Sequence, residues 1–177
     1  MKPIKTLITI LFISLLSSPS WSVTLGDLVE RDGLYYEKFT DIPFTGEVTG
    51  AEQGSFKDGE RDGAWVMYRM NGQLMNKGNW KNNKREGVWF NYFDDGTLDR
   101  KGSFTNGKNE GTWAYYYRNG QLSYKGNWKN GKQDGAWVSY NEDGTVNKQQ
   151  TGTYKDGEKI SDWVNSKLIK GQRKYEL

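Results

Sequence analysis

The sequence predicts an all-β fold, an elongated single-layer antiparallel meander of repeated 24-residue β-hairpins, twisted and coiled. Three observations predict it. Gly54, Gly78, Gly102 and Gly126 stand 24 residues apart and open closely similar segments. Each segment carries two turn signals, which leave strands of roughly eight to ten residues between them. No part of the repeat has helical length or period.

The chain opens with a segment of a different kind. Lys2 and Lys5 precede a mostly apolar run from Leu7 to Leu16, too short to span a bilayer as a helix. Ser20-Trp21-Ser22 then offers small residues at the two positions that define a cleavage site, just after Pro19. Residues 1–22 therefore read as a signal peptide cleaved after Ser22, which predicts a periplasmic or secreted product. Cleavage would leave 23 basic against 22 acidic residues, so the mature chain gives no electrostatic reason to expect nucleic acid. Residues 23–53 follow as an N-terminal cap, with a polar start from Asp27 to Asp32.

Residues 54–151 hold the four copies. Their shared pattern is G-x-aromatic, five residues, [DE]-G-x-W-x-x-Y, two residues, [ND]-G-x-[LV]. The aromatic is Phe56, Trp80, Phe104 or Trp128. The constant tryptophans are Trp65, Trp89, Trp113 and Trp137, followed by Tyr68, Tyr92, Tyr116 and Tyr140. Copies one and three share GSF and NGQL, and copies two and four share GNW and DGT, which suggests a 48-residue duplication. Asn71-Gly72, Asp95-Gly96, Asn119-Gly120 and Asp143-Gly144 are hairpin signals, because both central residues of a two-residue turn need positive φ. Asp58-Gly59, Asn82-Asn83, Asn106-Gly107 and Asn130-Gly131 mark the second turn of each copy.

Two-residue loops at both turns would fix the register. Trp65 would face Gly78, and Gly63 would face Trp80. Across the second turn Gly78 would face Gly87, and Asn76 would face Trp89. Every constant Trp and every Phe56-type aromatic then lands on one face, with Leu74, Leu98, Leu122 and Val146. Gly78, Gly102 and Gly126 become structural positions over which a ring can lie. The Tyr68 column, Val66, Lys77, Lys101 and Lys125 fall on the opposite face. No second apolar layer exists to cover the aromatic face, so the sheet is expected to coil around it, leaving the Tyr/Lys face more exposed. A β-bulge in either turn would upset this register.

A partial fifth copy occupies residues 152–163. It begins Gly152-Thr153-Tyr154, keeps Trp163, and puts Ser161 where the second glycine stood, as a capping repeat would. Residues 164–177 are a polar, basic C-terminal tail.

These residues resemble the MORN repeat in its bacterial variant form. The match lies in KDGxxDGxWxxY at Lys57 to Tyr68 and in the corresponding segments Lys81 to Tyr92, Thr105 to Tyr116 and Lys129 to Tyr140. Gly33-Leu34-Tyr35-Tyr36 and Pro43-Phe44-Thr45-Gly46 are similar to the lead-in that such proteins carry before the first repeat. The resemblance implies an elongated sheet used for protein or membrane contacts. Bacterial members are often named as antitoxin components, but an antitoxin acting on a cytoplasmic toxin would lack an export signal. Gly111-Thr112-Trp113-Ala114-Tyr115-Tyr116 with Gly120-Gln121-Leu122 is also similar to the choline-binding cell-wall repeat. That repeat is shorter and lacks the KNGxxEG turn.

With no Cys and no His, the chain lacks thiol chemistry, imidazole bases and the usual zinc and copper ligands. The acidic column Asp62, Glu86, Glu110 and Asp134 repeats singly beside turns, where such residues serve backbone geometry rather than a converging catalytic pair. No catalytic residue, metal site or cofactor is therefore predicted. Constant Trp and Tyr columns meet a packing need that recurs in every copy. A site is better sought where the copies differ. Tyr115, Tyr117 and Tyr124 occur only in copy three, and the derived register sets Tyr115 opposite Tyr124 and Tyr124 opposite Trp137. Such a strip suits a sugar, a quaternary amine or a partner's Arg, the alternative being extra core. The expected function is that of an exported, non-enzymatic scaffold for protein interaction or envelope binding. Its partner would be another protein or an envelope component. Membrane-surface contact through the lysine face is a weaker expectation.

Overall fold

The computed structural model describes residues 22–162. The apolar run and lysines of the predicted signal segment, Trp163 and the tail 164–177 lie outside them. A 3-10 turn, Leu25–Asp27, leads into a two-stranded sheet of β1 (Leu28–Arg31) and β2 (Leu34–Glu37). Then come β3 (Gly46–Val48), β4 (Glu52–Lys57), β5 (Glu60–Arg61) and β6 (Gly63–Tyr68). The repeats continue as β7 (Leu74–Lys81), β8 (Lys84–Tyr92), β9 (Leu98–Thr105), β10 (Lys108–Tyr116), β11 (Leu122–Lys129) and β12 (Lys132–Ser139). The chain closes with β13 (Gly152–Lys155) and β14 (Glu158–Asp162). Strands β3 to β14 form one antiparallel meander in sequence order, with β5 an offshoot on β4. Its ends, β3 and β14, do not pair, so the sheet is not closed into a barrel.

The two turns of each copy are built differently. Asn82 and Asn83 have φ of 49° and 57°, and Asp58-Gly59, Asn106-Gly107 and Asn130-Gly131 share the double positive φ of a two-residue hairpin turn. The turns at Asn71-Gly72 and its equivalents are not of this kind, contrary to the sequence expectation. There only the glycine is left-handed, and Arg69 N–H donates to Gln73 O across a three-residue loop. The cause is the Asx side chain. Asn71 Oδ1 accepts from Gln73 N–H at 3.1 Å, and Asp95, Asn119 and Asp143 do the same two residues on. That bond holds the Asx residue in ordinary backbone space and leaves the positive φ to glycine.

The three-residue loop is followed by a one-residue bulge between Met67 and Tyr68, and the two offsets cancel. Trp65 therefore does pair with Gly78 and Gly63 with Trp80. The bulge corrects another expectation. Leu74, Leu98, Leu122 and Val146 pair with Tyr68, Tyr92, Tyr116 and Tyr140. They belong to the Tyr/Lys face, not to the tryptophan face; Leu122 and Tyr116 border the same outer-face cleft as Ala114 and Lys125.

Across the second turn the register shifts by two residues. Asn79 pairs with Glu86, but Lys77 pairs with Phe90 and Asn76 with Asn91, not with Trp89. Gly87, at φ 68°, absorbs the extra length as a bulge, so Gly78 comes opposite Trp89 rather than Gly87. The shift recurs in copies three and four, where Gly126 pairs directly with Trp137. One cross-strand row therefore alternates Gly and Trp along the sheet.

Each tryptophan leans over the glycine that precedes it. A Cβ on Gly54, Gly78, Gly102 or Gly126 would lie 2.1–2.3 Å from the ring of Trp65, Trp89, Trp113 or Trp137. Each indole N–H donates to the carbonyl just past that glycine: Trp65 to Ser55, Trp89 to Asn79, Trp113 to Ser103 and Trp137 to Asn127, at 3.0–3.2 Å. All four rings are 3% exposed or less, although no second layer among the described residues covers them. At the cap, Leu28, Phe44 and Val48 close over Phe56, Trp65 and Met67 in one buried cluster.

Candidate functional site

The register places one inner-face row beside the Gly/Trp row. Met67 pairs with Asn76, Asn76 with Asn91, Asn91 with Arg100, Arg100 with Tyr115, Tyr115 with Tyr124, and Tyr124 with Ser139. The expected Tyr115–Tyr124 pairing is present. The expected pairing of Tyr124 with Trp137 is not, because the two-residue bulge moves Trp137 to Gly126. The rings still converge. Tyr115 and Tyr124 stack with centroids 4.0 Å apart at 12°, and Trp137 lies 5.9 Å from Tyr124 and 6.5 Å from Tyr115. Trp113 stacks on the other side of Tyr115 at 5.9 Å.

The two tyrosines differ in access. Burial pushes the Tyr115 hydroxyl up to about 12, helped by the neighbouring Tyr124. Burial also raises Tyr124, yet the residue is 36% exposed. Tyr115 is thus the support and Tyr124 the open ring, and both hydroxyls are neutral at physiological pH. Tyr117 stands apart, in the loop after β10. Its hydroxyl donates to Tyr140 O at 2.8 Å, a tie between adjacent loops that Arg69 makes to Tyr92 O in copy one.

Tyr124 and Trp137 form one side of a cleft of about 390 Å³, completed by Gln133, Ser139, Gln150 and Tyr154. The cleft follows from two departures from the repeat. Position 61 of copy one is Arg61, then Arg85, Asn109 and Gln133 in the later copies. The arginines fill the space between rings: Arg61 lies 4.5 Å over Trp65, and Arg85 lies 4.6 Å over Trp89. Gln133 is shorter. Gly126 and Gly152 are also separated by 26 residues, not 24. The added length forms the turn that carries Gln150, whose Oε1 accepts from Ser139 Oγ at 3.0 Å. Gln133, Ser139, Gln150 and Tyr154 were not singled out from the sequence. The Arg-to-Gln change and the longer spacing were the signals that pointed there.

The remaining charged columns are accounted for by the fold. Glu86 and Glu110 accept from the backbone N–H of Asn106 and Asn130, stitching each turn to the next, and Asp134 pairs with Lys155 at 3.0 Å. Lys77, Lys101 and Lys125 are exposed on the outer face. The cleft itself offers ring faces, neutral hydroxyls and amides, groups that stack and hydrogen-bond.

Residues 61–82, 85–106 and 109–130 match the family described as MORN repeat variant. No curated protein matches the chain. The matched segments begin seven residues after Gly54, Gly78 and Gly102, so each spans one cross-strand unit of the Gly/Trp row.

Proposed function

We propose that this chain, a MORN-repeat protein over residues 61–130, is an exported, non-enzymatic binding scaffold whose inner face engages another protein or an envelope component at the Tyr124 cleft. The observation that carries the reading is the break in repetition. Copies one and two fill the inner face with Arg61 and Arg85, whereas copies three and four leave an open tyrosine beside a cleft. Packing alone treats the copies alike, while a ligand meets only one of them. The rings of Tyr124 and Tyr154 supply apolar contact over the buried Trp137, and Gln133 and Gln150 supply directional hydrogen bonds. The export component rests on the pattern of residues 1–22. The non-enzymatic component is supported by the repeat, which is not a known enzyme family.

A pull-down of envelope proteins and glycans with wild type and Tyr124→Ala tests the site. The expected result is lost capture with a melting temperature within a few degrees of wild type. Equal capture by both proteins removes the site assignment. Cell fractionation with N-terminal sequencing tests export; a cytoplasmic product that retains Met1 overturns it and favours the antitoxin reading.

A further inference from the structure

We propose that the inner face also carries a carboxylate seat at Arg85, whose ligand is an acidic oligosaccharide that runs along this face toward the tyrosine pair. The proposal rests on the reading that the inner face is the binding face. Copy one shows what a guanidinium at this position pairs with. Arg61 lies over Trp65 and Trp80, its side chain 14% exposed, and donates to Glu52 Oε2 at 3.1 Å. Arg85 occupies the same place one copy on, stacked 4.6 Å over Trp89 and 5.3 Å over Phe104. The residue equivalent to Glu52 is now Asn76, which is neutral.

Arg85 therefore lacks the counter-ion that its equivalent has. Its side chain makes no ion pair or hydrogen bond among the described residues. The charges that act on it, Arg100 and Arg61, have its own sign, and burial with this repulsion pushes its proton affinity down. Asn76 is buried, and its Oδ1 has no hydrogen-bond partner. A half-buried cation among like charges is unfavourable, and a bound carboxylate removes the penalty as Glu52 does for Arg61. The planar fork of a guanidinium matches a carboxylate in geometry as well as charge.

The rest of the ligand is set by what lies beside the seat. Arg100 follows Asn91 in the row, and its one ion-pair contact among the described residues is Asp99 at 3.7 Å. Past Arg100 come the stacked rings of Tyr115 and Tyr124. The strands on both sides are already paired, so an extended peptide finds no free backbone edge here. A guanidinium pair next to an aromatic platform fits a sugar that presents a carboxylate and an apolar ring face.

The test is a tryptophan-fluorescence titration of the full chain with trigalacturonate, with neutral maltotriose, and with an acetylated triglutamate peptide. Trigalacturonate is expected to bind saturably and at least about tenfold tighter than maltotriose. Arg85→Gln is expected to weaken it by a similar factor while leaving the melting temperature close to wild type, because Gln133 already holds this position in copy four. Asn76→Glu supplies the missing carboxylate internally and is expected to abolish binding without loss of stability. Trigalacturonate binding that is no tighter than maltotriose, or that is unchanged in Arg85→Gln, overturns the seat. Triglutamate binding as tightly with the same Arg85 dependence overturns the sugar assignment. Loss of envelope partners in Tyr124→Ala with no trigalacturonate binding by wild type leaves the cleft reading standing and removes only this one.

Discussion

At Trp89 one side chain performs two tasks. Its ring covers the bare backbone of Gly78, and its indole N–H takes the Asn79 carbonyl at the point where the register jumps. A buried ring contributes up to about 3 kcal/mol through the surface it removes from water, and the hydrogen bond contributes about 1 kcal/mol more. Phe would keep the first and leave the carbonyl without its partner. The glycine is as constrained as the ring, since an added Cβ would sit 2.3 Å from it. Gly78→Val is therefore expected to cost about 3 kcal/mol, the upper range of overpacking. Lys77→Ala, exposed on the opposite face, is expected to change stability by less than about 0.5 kcal/mol. Urea denaturation of the two variants checks both values, and equal midpoints would contradict the Gly–Trp contact.

Among the elements, the Asn82-Asn83 turn has a role its equivalents lack. Asn83 Nδ2 donates to Gly33 O at 2.7 Å, and Asn83 Oδ1 accepts from Arg61 N–H at 2.7 Å. One turn thus joins copy two to the β1–β2 hairpin and to copy one. Gly suits its φ of 57° at least as well as Asn does, so Asn83→Gly separates turn preference from bridging. The expected outcome is a net loss of about 1–2 kcal/mol from two missing hydrogen bonds, seen as faster amide exchange in β1 and β2 than in β9 and β10. The tyrosine pair between β10 and β11 yields a pH prediction. Tyr115 ionises near 12 in the fold and near its ordinary value of 10 when unfolded. The folded state then holds the proton longer, so stability is complete below about pH 10 and falls as pH rises toward about 12. Tyr115→Phe is expected to flatten that fall in denaturation midpoints measured across the range. A decline of equal slope in the variant would assign the effect to other groups.

For the whole molecule, the governing fact is that the sheet has two ends and its buried rings have no second layer among the described residues. Each constant tryptophan meets the first aromatic of its own copy edge-on, and Trp89 also meets Phe104 of the next copy, as expected of a one-dimensional array. The first copy has no preceding copy, and the cap takes that place. Phe44 N–H donates to Tyr35 O, Tyr35 N–H to Gly59 O and Gly59 N–H to Phe44 O, each at 2.8 Å, binding the cap to the first turn. Removing residues 22–50 would uncover Phe56, Trp65 and Met67 and free the edge of β4. The shortened chain is expected to self-associate, which sedimentation velocity would detect as a concentration-dependent rise in mass. A monomer as stable as the full chain would show that the repeats need no cap.

The repeat, the all-β class, the common face of the tryptophans and the Tyr115–Tyr124 pairing were legible in the sequence, because a 24-residue period and period-two alternation fix them locally. The pairing of Trp65 with Gly78 also came out correctly, though through two errors that cancelled, a three-residue loop and a one-residue bulge. The bulge at Gly87 was out of reach. A glycine with positive φ inside a strand looks the same in sequence as a glycine under a ring, and only the folded ladder tells them apart. That bulge decides which ring covers which glycine, and its equivalent at Gly135 moves Trp137 from Tyr124 to Gly126 and brings Ser139 to the cleft. The cleft itself needed tertiary structure for a further reason. It is space left unfilled by Gln133, and an empty volume depends on the residues around it rather than on any one of them. The sequence thus determined the repeating unit, from local turn chemistry and spacing, and the tertiary structure decided where repetition fails and the cleft opens.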